Sequence, residues 1–289
     1  MIISLYAKPL LKSSYPVLRQ IMNILATHCT RIYVYKPFYE SIRQEMALPS
    51  NFSSTSGKEV EKGSDYVFTL GGDGTFLDAI AVVKDSGIPM FGINVGRLGF
   101  LSNVNIQSLE QAIVDIKNKN YVIEKRMLLQ VEPKLEDSNN WALNDVCIQR
   151  CNSLGLISIY VYINDEFLNT YWCDGLIIAT PTGSTAYSLG CGGPILMPNA
   201  DVIVLTPIAS HMLTVRPLVV PASSIIKIKV DSRSEKYALT CDSKAYELNQ
   251  SVDLTVFKGD FCMNLIRLPQ HTFYKTLREK LMWGLDKRN

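Results

Sequence analysis

Four short stretches of this chain have the residue types and spacing that phosphate and sugar chemistry needs. The first is Leu70-Gly71-Gly72-Asp73-Gly74-Thr75. Glycines let a backbone approach a ligand closely, and amide N–H groups ahead of a helix start can cradle anionic oxygens. A carboxylate placed there repels phosphate unless it takes a proton or holds a cation, which makes Asp73 a candidate catalytic group. The competing reading is a strand-to-helix turn with Asp73 as the helix cap. The loop lacks GxxxxGK[ST], so it is not a Walker loop. Nor is it a dinucleotide fingerprint, because Leu77 stands where the last glycine of GxGxxG belongs.

The second stretch, Gly92-Ile93-Asn94-Val95-Gly96-Arg97-Leu98-Gly99-Phe100-Leu101, follows the next strand-like run. At the carboxyl ends of adjacent parallel strands, two such loops face one crevice. Phe100 either stacks on a base or nicotinamide or anchors its loop in apolar surroundings. The third runs from Cys173-Asp174-Gly175 through Ile178-Ala179-Thr180-Pro181-Thr182-Gly183-Ser184-Thr185-Ala186-Tyr187-Ser188. There a strand feeds a Pro-Gly turn, hydroxyl residues open a helix with free N–H groups, and Tyr187 offers a flat face for a base. The fourth is Asn144-Asp145, a polar pair inside an otherwise apolar strand, which is either a sheet-edge feature or a ribose-binding pair.

Elements that alternate between strand and helix must position the first two stretches. Ile2 to Tyr6, Arg31 to Tyr35, Tyr66 to Leu70 and Ile88 to Ile93 read as strands. Val17, Leu18, Ile21, Ile24 and Leu25 recur at helical spacing, as do Leu109, Ile113 and Ile116, and Thr75 to Val83 reads as a helix. The Ser-rich run Asn51 to Gly57 reads as a mobile loop. This β-α-β-α order predicts a Rossmann-like α/β domain with a parallel sheet over residues 1–110. From Tyr121 the pattern changes. Tyr121 to Val131, Trp141 to Gln149, Leu156 to Ile163, Phe167 to Trp172, Leu176 to Thr180, Ile225 to Val230, Tyr237 to Thr240 and Val252 to Phe257 read as strands, with Asn164-Asp165 as a hairpin turn. They predict a β-rich, sandwich-like domain over residues 120–267. Thr272 to Trp283 reads as a helix, so 268–289 closes the α/β domain.

Composition narrows the classes. With 289 residues, 47% apolar and 19% charged, the chain can bury a sizeable core and is not intrinsically disordered. Its 29 basic against 27 acidic residues leave a net charge of +2, too balanced for a protein whose main task is neutralising nucleic-acid phosphates. No apolar stretch reaches the ~18–20 residues of a membrane helix, and the start lacks the basic region of a secretory signal. Seven Cys without a CxxC pair, and His28, His211 and His271 without ligand spacing, argue against a disulfide framework or a protein-held metal. The expected setting is the reducing cytoplasm, with no nucleic-acid and no membrane partner.

Taken together, GGDGT at 71–75, NxGxLGFL at 94–101, Asn144-Asp145 and DGLIIATPTGSTAYS at 174–188 resemble the NAD kinases. GGPIL at 192–196, TPIASH at 206–211, RPLVVP at 216–221 and the tail TFYKTLREKLMW extend the likeness over nearly the whole chain. The resemblance implies phosphoryl transfer from ATP, another nucleotide or polyphosphate to the 2′-hydroxyl of the adenosine ribose of NAD, giving NADP. It implies an α/β plus a β-rich domain with the active site between them, in a homodimer or homotetramer. Asp73 matches the family's general base or hydroxyl organiser, and Gly71, Gly72, Gly74 and Thr75 match its phosphate loop. Gly74, Phe100, Asn144, Asp145, Thr185, Ala186 and Tyr187 match NAD-contacting positions, as does Ala209. Asp174 matches an aspartate at the nicotinamide end that is supplied across a subunit contact. A divalent cation, Mg2+, is expected on the donor phosphates with few protein ligands. Cys173, Gly190-Cys191 and Lys244 depart from the family's usual residues. Two other classes share parts of the pattern: lipid kinases of the diacylglycerol type carry GGDGT, and an NAD-sensing module would keep the pocket without turnover.

Overall fold

The computed structural model describes residues 1–55, 59–96, 99–135, 140–151 and 155–284. The chain divides into two compact units, one formed by Met1–Lys125 with Met263–Asn289 and the other by Arg126–Cys262. In the first unit β1 (Ile2–Ala7), α1 (Tyr15–His28), β2 (Arg31–Val34), α2 (Lys36–Arg43), β3 (Phe52–Ser54), β4 (Tyr66–Leu70), α3 (Asp73–Val83), β5 (Met90–Ile93) and α4 (Ile106–Lys117) follow one another. Strands β1, β4 and β5 are apolar and buried along almost their whole length, as parallel strands covered on both faces must be. Leu18, Ile21, Met22 and Leu25 put one stripe of α1 into the same core as Leu109, Ala112, Ile113 and Ile116 of α4.

The parallel order is β3-β2-β1-β4-β5. It reverses at β1, with β2 on one side and β4 on the other, and a doubly wound sheet opens a crevice at such a point, outside the carboxyl ends of its strands. β4 ends at Leu70 and β5 at Ile93, and these neighbours are paired in register up to Leu70 and Ile93. Both glycine-bearing loops therefore leave the sheet at the same edge. The segment read as a mobile loop differs: Phe52–Ser54 forms an edge strand on β2, with Phe52 buried and Ser53 and Ser54 half-buried. Ser56 and Gly57, at the end of that reading, lie outside the described residues together with Lys58.

The second unit takes the later part of β6 (Val122–Glu132), β7 (Trp141–Ala142), β8 (Asp145–Arg150), β9 (Ile157–Ile163), β10 (Glu166–Cys173), β11 (Gly175–Ala179), α5 (Tyr187–Gly190), β12 (Val202–Ile208), β13 (Leu218–Pro221), β14 (Ile226–Asp231), β15 (Lys236–Cys241), β16 (Lys244–Asn249) and the first part of β17 (Leu254–Arg267). One antiparallel sheet runs β13-β12-β11-β8-β15-β16, and a second runs β10-β9-β14-β17. Val146, Ile148, Leu176 and Ile178 of the one share a core with Ile159, Val161, Ile226 and Ile228 of the other, which is sandwich packing. Along β14 Ile226, Ile228 and Val230 point inward while Lys227, Lys229 and Asp231 point out. Asn164 and Asp165 both have positive φ, 51° and 68°, as the tight turn between β9 and β10 requires. The strand read over Trp141 to Gln149 is two strands, β7 and β8, separated at Leu143-Asn144. α6 (Phe273–Leu281), capped by Thr272 through Lys275 N–H, completes the first unit.

Candidate active site

In the first unit the loop after β4 turns directly into α3, whose cap is the backbone of Gly72. Asp73 is the first residue of that helix, so its carboxylate does not cap its own first turn. It reaches instead to the loop after β5. Its Oδ2 accepts Phe100 N–H at 2.8 Å and Lys280 Nζ at 3.1 Å. Its Oδ1 accepts Leu101 and Ser102 N–H, each at 3.0 Å. A carboxylate offers about four acceptor positions, and here all are in use. Gly99 makes this closure possible, because a Cβ there would overlap the Asp73 carboxylate. By contrast, Cβ atoms on Gly72 and Gly74 would meet nothing within 4 Å, so the helix start faces open space. The first N–H groups of a helix have no intrahelical partner and carry its positive end. Open space in front of them suits an anion. Thr75 packs its side chain against Gly71.

The second loop is braced from within. Asn94, buried at the end of β5, donates from Nδ2 to Ser102 O at 3.1 Å and accepts Gly96 N–H at 2.6 Å, while Gly99 N–H bonds Ser102 O. Arg97 and Leu98 lie outside the described residues. Phe100 meets α6: the Lys280 ammonium lies 4.6 Å from its ring centroid and the Phe273 ring 6.4 Å away. Its ring is therefore engaged as a loop anchor, and a cation over an aromatic face adds to that hold.

In the second unit the break between β7 and β8 has a cause. The Asp242 carboxylate accepts the N–H groups of Leu143 (2.7 Å), Asn144 (2.8 Å) and Asp145 (3.2 Å), which a strand would offer to its neighbour. Thr180 closes the other side, with N–H to Asn144 O at 2.9 Å and Oγ1 to Leu143 O at 2.5 Å. Gly183 fits against the same backbone, since a Cβ there would overlap Asn144 O. Asn144 is thus locked between Asp242 and the Thr180–Thr185 turn. The Asp145 carboxyl is 7% exposed and accepts no hydrogen bond from the described residues. Burial, with the Asp242 charge added, pushes it up to about 7. A buried carboxyl of this kind lacks donors, and paired sugar hydroxyls would supply them.

The turn itself is held by Ser184, whose Oγ donates to Pro181 O and accepts Leu196 N–H, and by Thr185 Oγ1 on Thr182 O. Ala186 and Tyr187 are exposed, and the Tyr187 hydroxyl accepts Gln149 Nε2 at 3.0 Å. Burial raises that phenol, with smaller contributions from Cys191, Cys147 and the Asp145 charge. Asn144, Asp145, Thr185, Ala186 and Tyr187 are therefore brought together. Asp174 and Ala209 stand at the other end of β11. Gly175 pairs with Gln149 there, whereas Ala179 pairs with Asp145 at the near end, a strand length of ~13 Å away. Asp174 forms an ion pair with Arg150 Nε at 3.0 Å and donates its N–H to Ile208 O, and Ala209 is exposed with φ 46°.

Three contributors escape a motif reading: Asp242, Arg150 and Lys280. Asp242 lies in the two-residue turn between β15 and β16 with φ 51°, and a lone Asp in a hairpin turn is ordinary. Lys280 reads as part of a solvated helix face. Among the described residues no three His, Cys, Asp or Glu side chains gather as metal ligands.

Comparison with known proteins covers both units. Residues 3–121 match the ATP-NAD kinase N-terminal domain and residues 143–268 the ATP-NAD kinase C-terminal domain. The chain is 41% identical to the NAD kinase of Flavobacterium psychrophilum over 96% of both chains. It is 36% identical to that of Cytophaga hutchinsonii over 100% of both. Among solved structures it resembles yeast NADH kinase complexed with NADH (TM-score 0.87, 26% identity, 99% of this chain and 89% of that one). It also shares the fold of an NAD kinase from Archaeoglobus fulgidus in complex with ATP (TM-score 0.72, 21% identity, 93% and 95%).

Proposed function

The chain belongs to the NAD kinase family, phosphotransferases with an alcohol acceptor, and from that premise we propose how its residues make NADP. ATP is the donor and the 2′-hydroxyl of the adenosine ribose of NAD the acceptor. That oxygen forms a bond to the γ-phosphorus, the bond from phosphorus to the bridging oxygen breaks, and ADP leaves with the electron pair. The hydroxyl proton passes to the Asp73 carboxylate. The solved complexes of a relative with NADH and of a fold neighbour with ATP support this pair of substrates.

Phosphoryl transfer asks mainly for positioning and charge stabilisation. The N-terminal turn of α3, with Gly71, Gly72, Gly74 and Thr75, receives donor phosphate oxygens. Asn144 and Asp145 hold a ribose diol, and Thr185, Ala186 and Tyr187 bind the nucleotide beside it. Phe100 supports the loop that Asp73 clamps. A divalent cation, Mg2+, would come bound to the donor phosphates and would offset part of their charge. The engaged acceptor positions of Asp73, and the lack among the described residues of any three gathered His, Cys, Asp or Glu side chains, suit a cation carried by substrate better than one caged by side chains. The observation that carries the reading is the Asp73 carboxylate, fixed at the start of α3 next to the open space before Gly72 and Gly74. A cytoplasmic homodimer or homotetramer, with Asp174 serving the nicotinamide end across a subunit contact and Ala209 a further dinucleotide contact, belongs to the same reading.

The test is NADP formation from NAD, ATP and Mg2+, followed with an NADP-specific dehydrogenase. Steady turnover supports the assignment. NAD binding without turnover would overturn it in favour of a sensing module, and phosphorylation of diacylglycerol alone would overturn it in favour of a lipid kinase.

A further inference from the structure

We propose that Lys280 is the exchangeable partner of Asp73: it holds the acceptor position on Oδ2 that the 2′-hydroxyl uses, and gives it up for phosphate oxygens when the hydroxyl arrives. The inference rests on the reading of Asp73 given above. Three of the four donors on the carboxylate are backbone N–H groups of Phe100, Leu101 and Ser102. Removing any of them means remodelling a loop that Asn94 braces and that closes through Gly99. The fourth donor is an ammonium on a flexible four-carbon stem, 3.1 Å away and partly exposed. A substrate hydroxyl needs one lone pair of Asp73, and the position held by Lys280 is the one that can be vacated without moving backbone.

Lys280 does not simply leave. Its ammonium lies over the Phe100 ring, and Phe273 from the same helix packs on that ring, so the stem is tethered beside the loop. Freed from Asp73, the charge stays within side-chain reach of the α3 start, where the donor phosphates sit. The side chain thus has two alternative anions, carboxylate and phosphate, and the hydroxyl decides between them. Lys280 acts on the acceptor through Asp73 and is a positioning residue for that step.

The experiment compares the wild-type chain with Lys280→Met, Lys280→Gln and Lys280→Arg. NAD affinity is measured by calorimetry without ATP, initial rates are measured with ATP, and a thermal melt accompanies each. Breaking a partly exposed ion pair costs little, so Lys280→Met and Lys280→Gln should bind NAD about two- to fivefold more tightly. Their kcat should fall about tenfold or more, because the phosphates lose a cation. Lys280→Arg should recover most of kcat. In an Asp73→Asn background, Lys280→Met should change NAD affinity no further, as expected of two groups that act as one pair. NAD binding that weakens together with a lowered melting temperature would reduce Lys280 to a structural clamp and overturn the exchange. So would a kcat within twofold of wild type. If the wild-type chain itself forms no NADP, the reading of Asp73 falls and the exchange falls with it; an active wild type without the split between affinity and kcat sinks the exchange alone.

Discussion

Asp145→Asn should change how stability depends on pH, and the size follows from where Asp145 sits. Burial first, and the Asp242 charge second, push its carboxyl up to about 7 in the folded chain. An unfolded Asp titrates near ~3.9. Between those values the folded chain holds a proton that the unfolded chain has lost, so this group makes stability fall as pH rises through the window. The slope is at most about 1.4 kcal/mol per pH unit. Integrated from about pH 5 to about pH 8, with the native proton leaving near the top of the range, it comes to about 2–3 kcal/mol. Asn has no such titration. Urea denaturation of both chains at the two pH values should therefore show the variant gaining about 2–3 kcal/mol on the wild type from the lower pH to the higher. On the proposed ribose contact, hydroxyls would donate to the ionised carboxyl, so NAD affinity of the wild type should also rise with pH up to about 7, which calorimetry can follow. A stability difference that stays constant across pH would refute the reasoning and return Asp145 to an ordinary surface-like carboxylate.

Asp73→Asn should lower kcat by about 10²–10⁴-fold, the usual worth of a general base, while NAD binding measured without ATP survives. Near-normal kcat would leave Asp73 as a loop brace only. Gly99→Ala forces a Cβ into the Asp73 carboxylate and should cost about 1–3 kcal/mol in a denaturation experiment. Gly74→Ala, which meets nothing within 4 Å, should hold or raise the melting temperature yet weaken ATP binding; unaltered ATP affinity would mean the open space is not a phosphate site. Chains carrying Asp73→Asn and Asp174→Ala, each weak alone, should recover part of the activity when co-expressed, because mixed assemblies then contain sites with both residues intact. Mixed assemblies as inactive as either parent would end the shared-site idea.

The α/β and β-rich halves are legible because their strands announce themselves in two ways. Runs such as Tyr66–Leu70 and Met90–Ile93 are almost wholly apolar, as two-sided burial demands, while β14 alternates strictly. β3 escapes such a reading because an edge strand can be mostly polar: only Phe52 is buried, and the bonds from β2 define the rest. α2, β12, β13 and β16 also go beyond what the periodicity marks. β17 runs to Arg267, past the end read at Phe257, because Lys258, Asp260 and Asn264 interrupt its apolar pattern without interrupting its pairing. The glycine loops, Asn144-Asp145 and the Thr180–Tyr187 turn stand out as contiguous chemistry. Their supports do not. Asp242 lies 97 residues from Asp145 in sequence and Lys280 lies 207 from Asp73, so only tertiary contact reveals what each of them holds.

The passage of β17 from one unit to the other governs the order in which a growing chain can become competent. Everything between Arg126 and Cys262 is contiguous, so that unit has all its strands as soon as Cys262 has emerged. The first unit has its loops and α3 much earlier but waits for Met263–Arg267, the last part of β17, and for α6. Until then the Phe100 ring lacks Phe273 and Asp73 lacks Lys280. During synthesis the strands that carry Asn144 and Asp145 can thus assemble before Lys280 reaches Asp73, and a nascent chain stalled just past Cys262 has the loop after β5 without its Phe273 and Lys280 contacts.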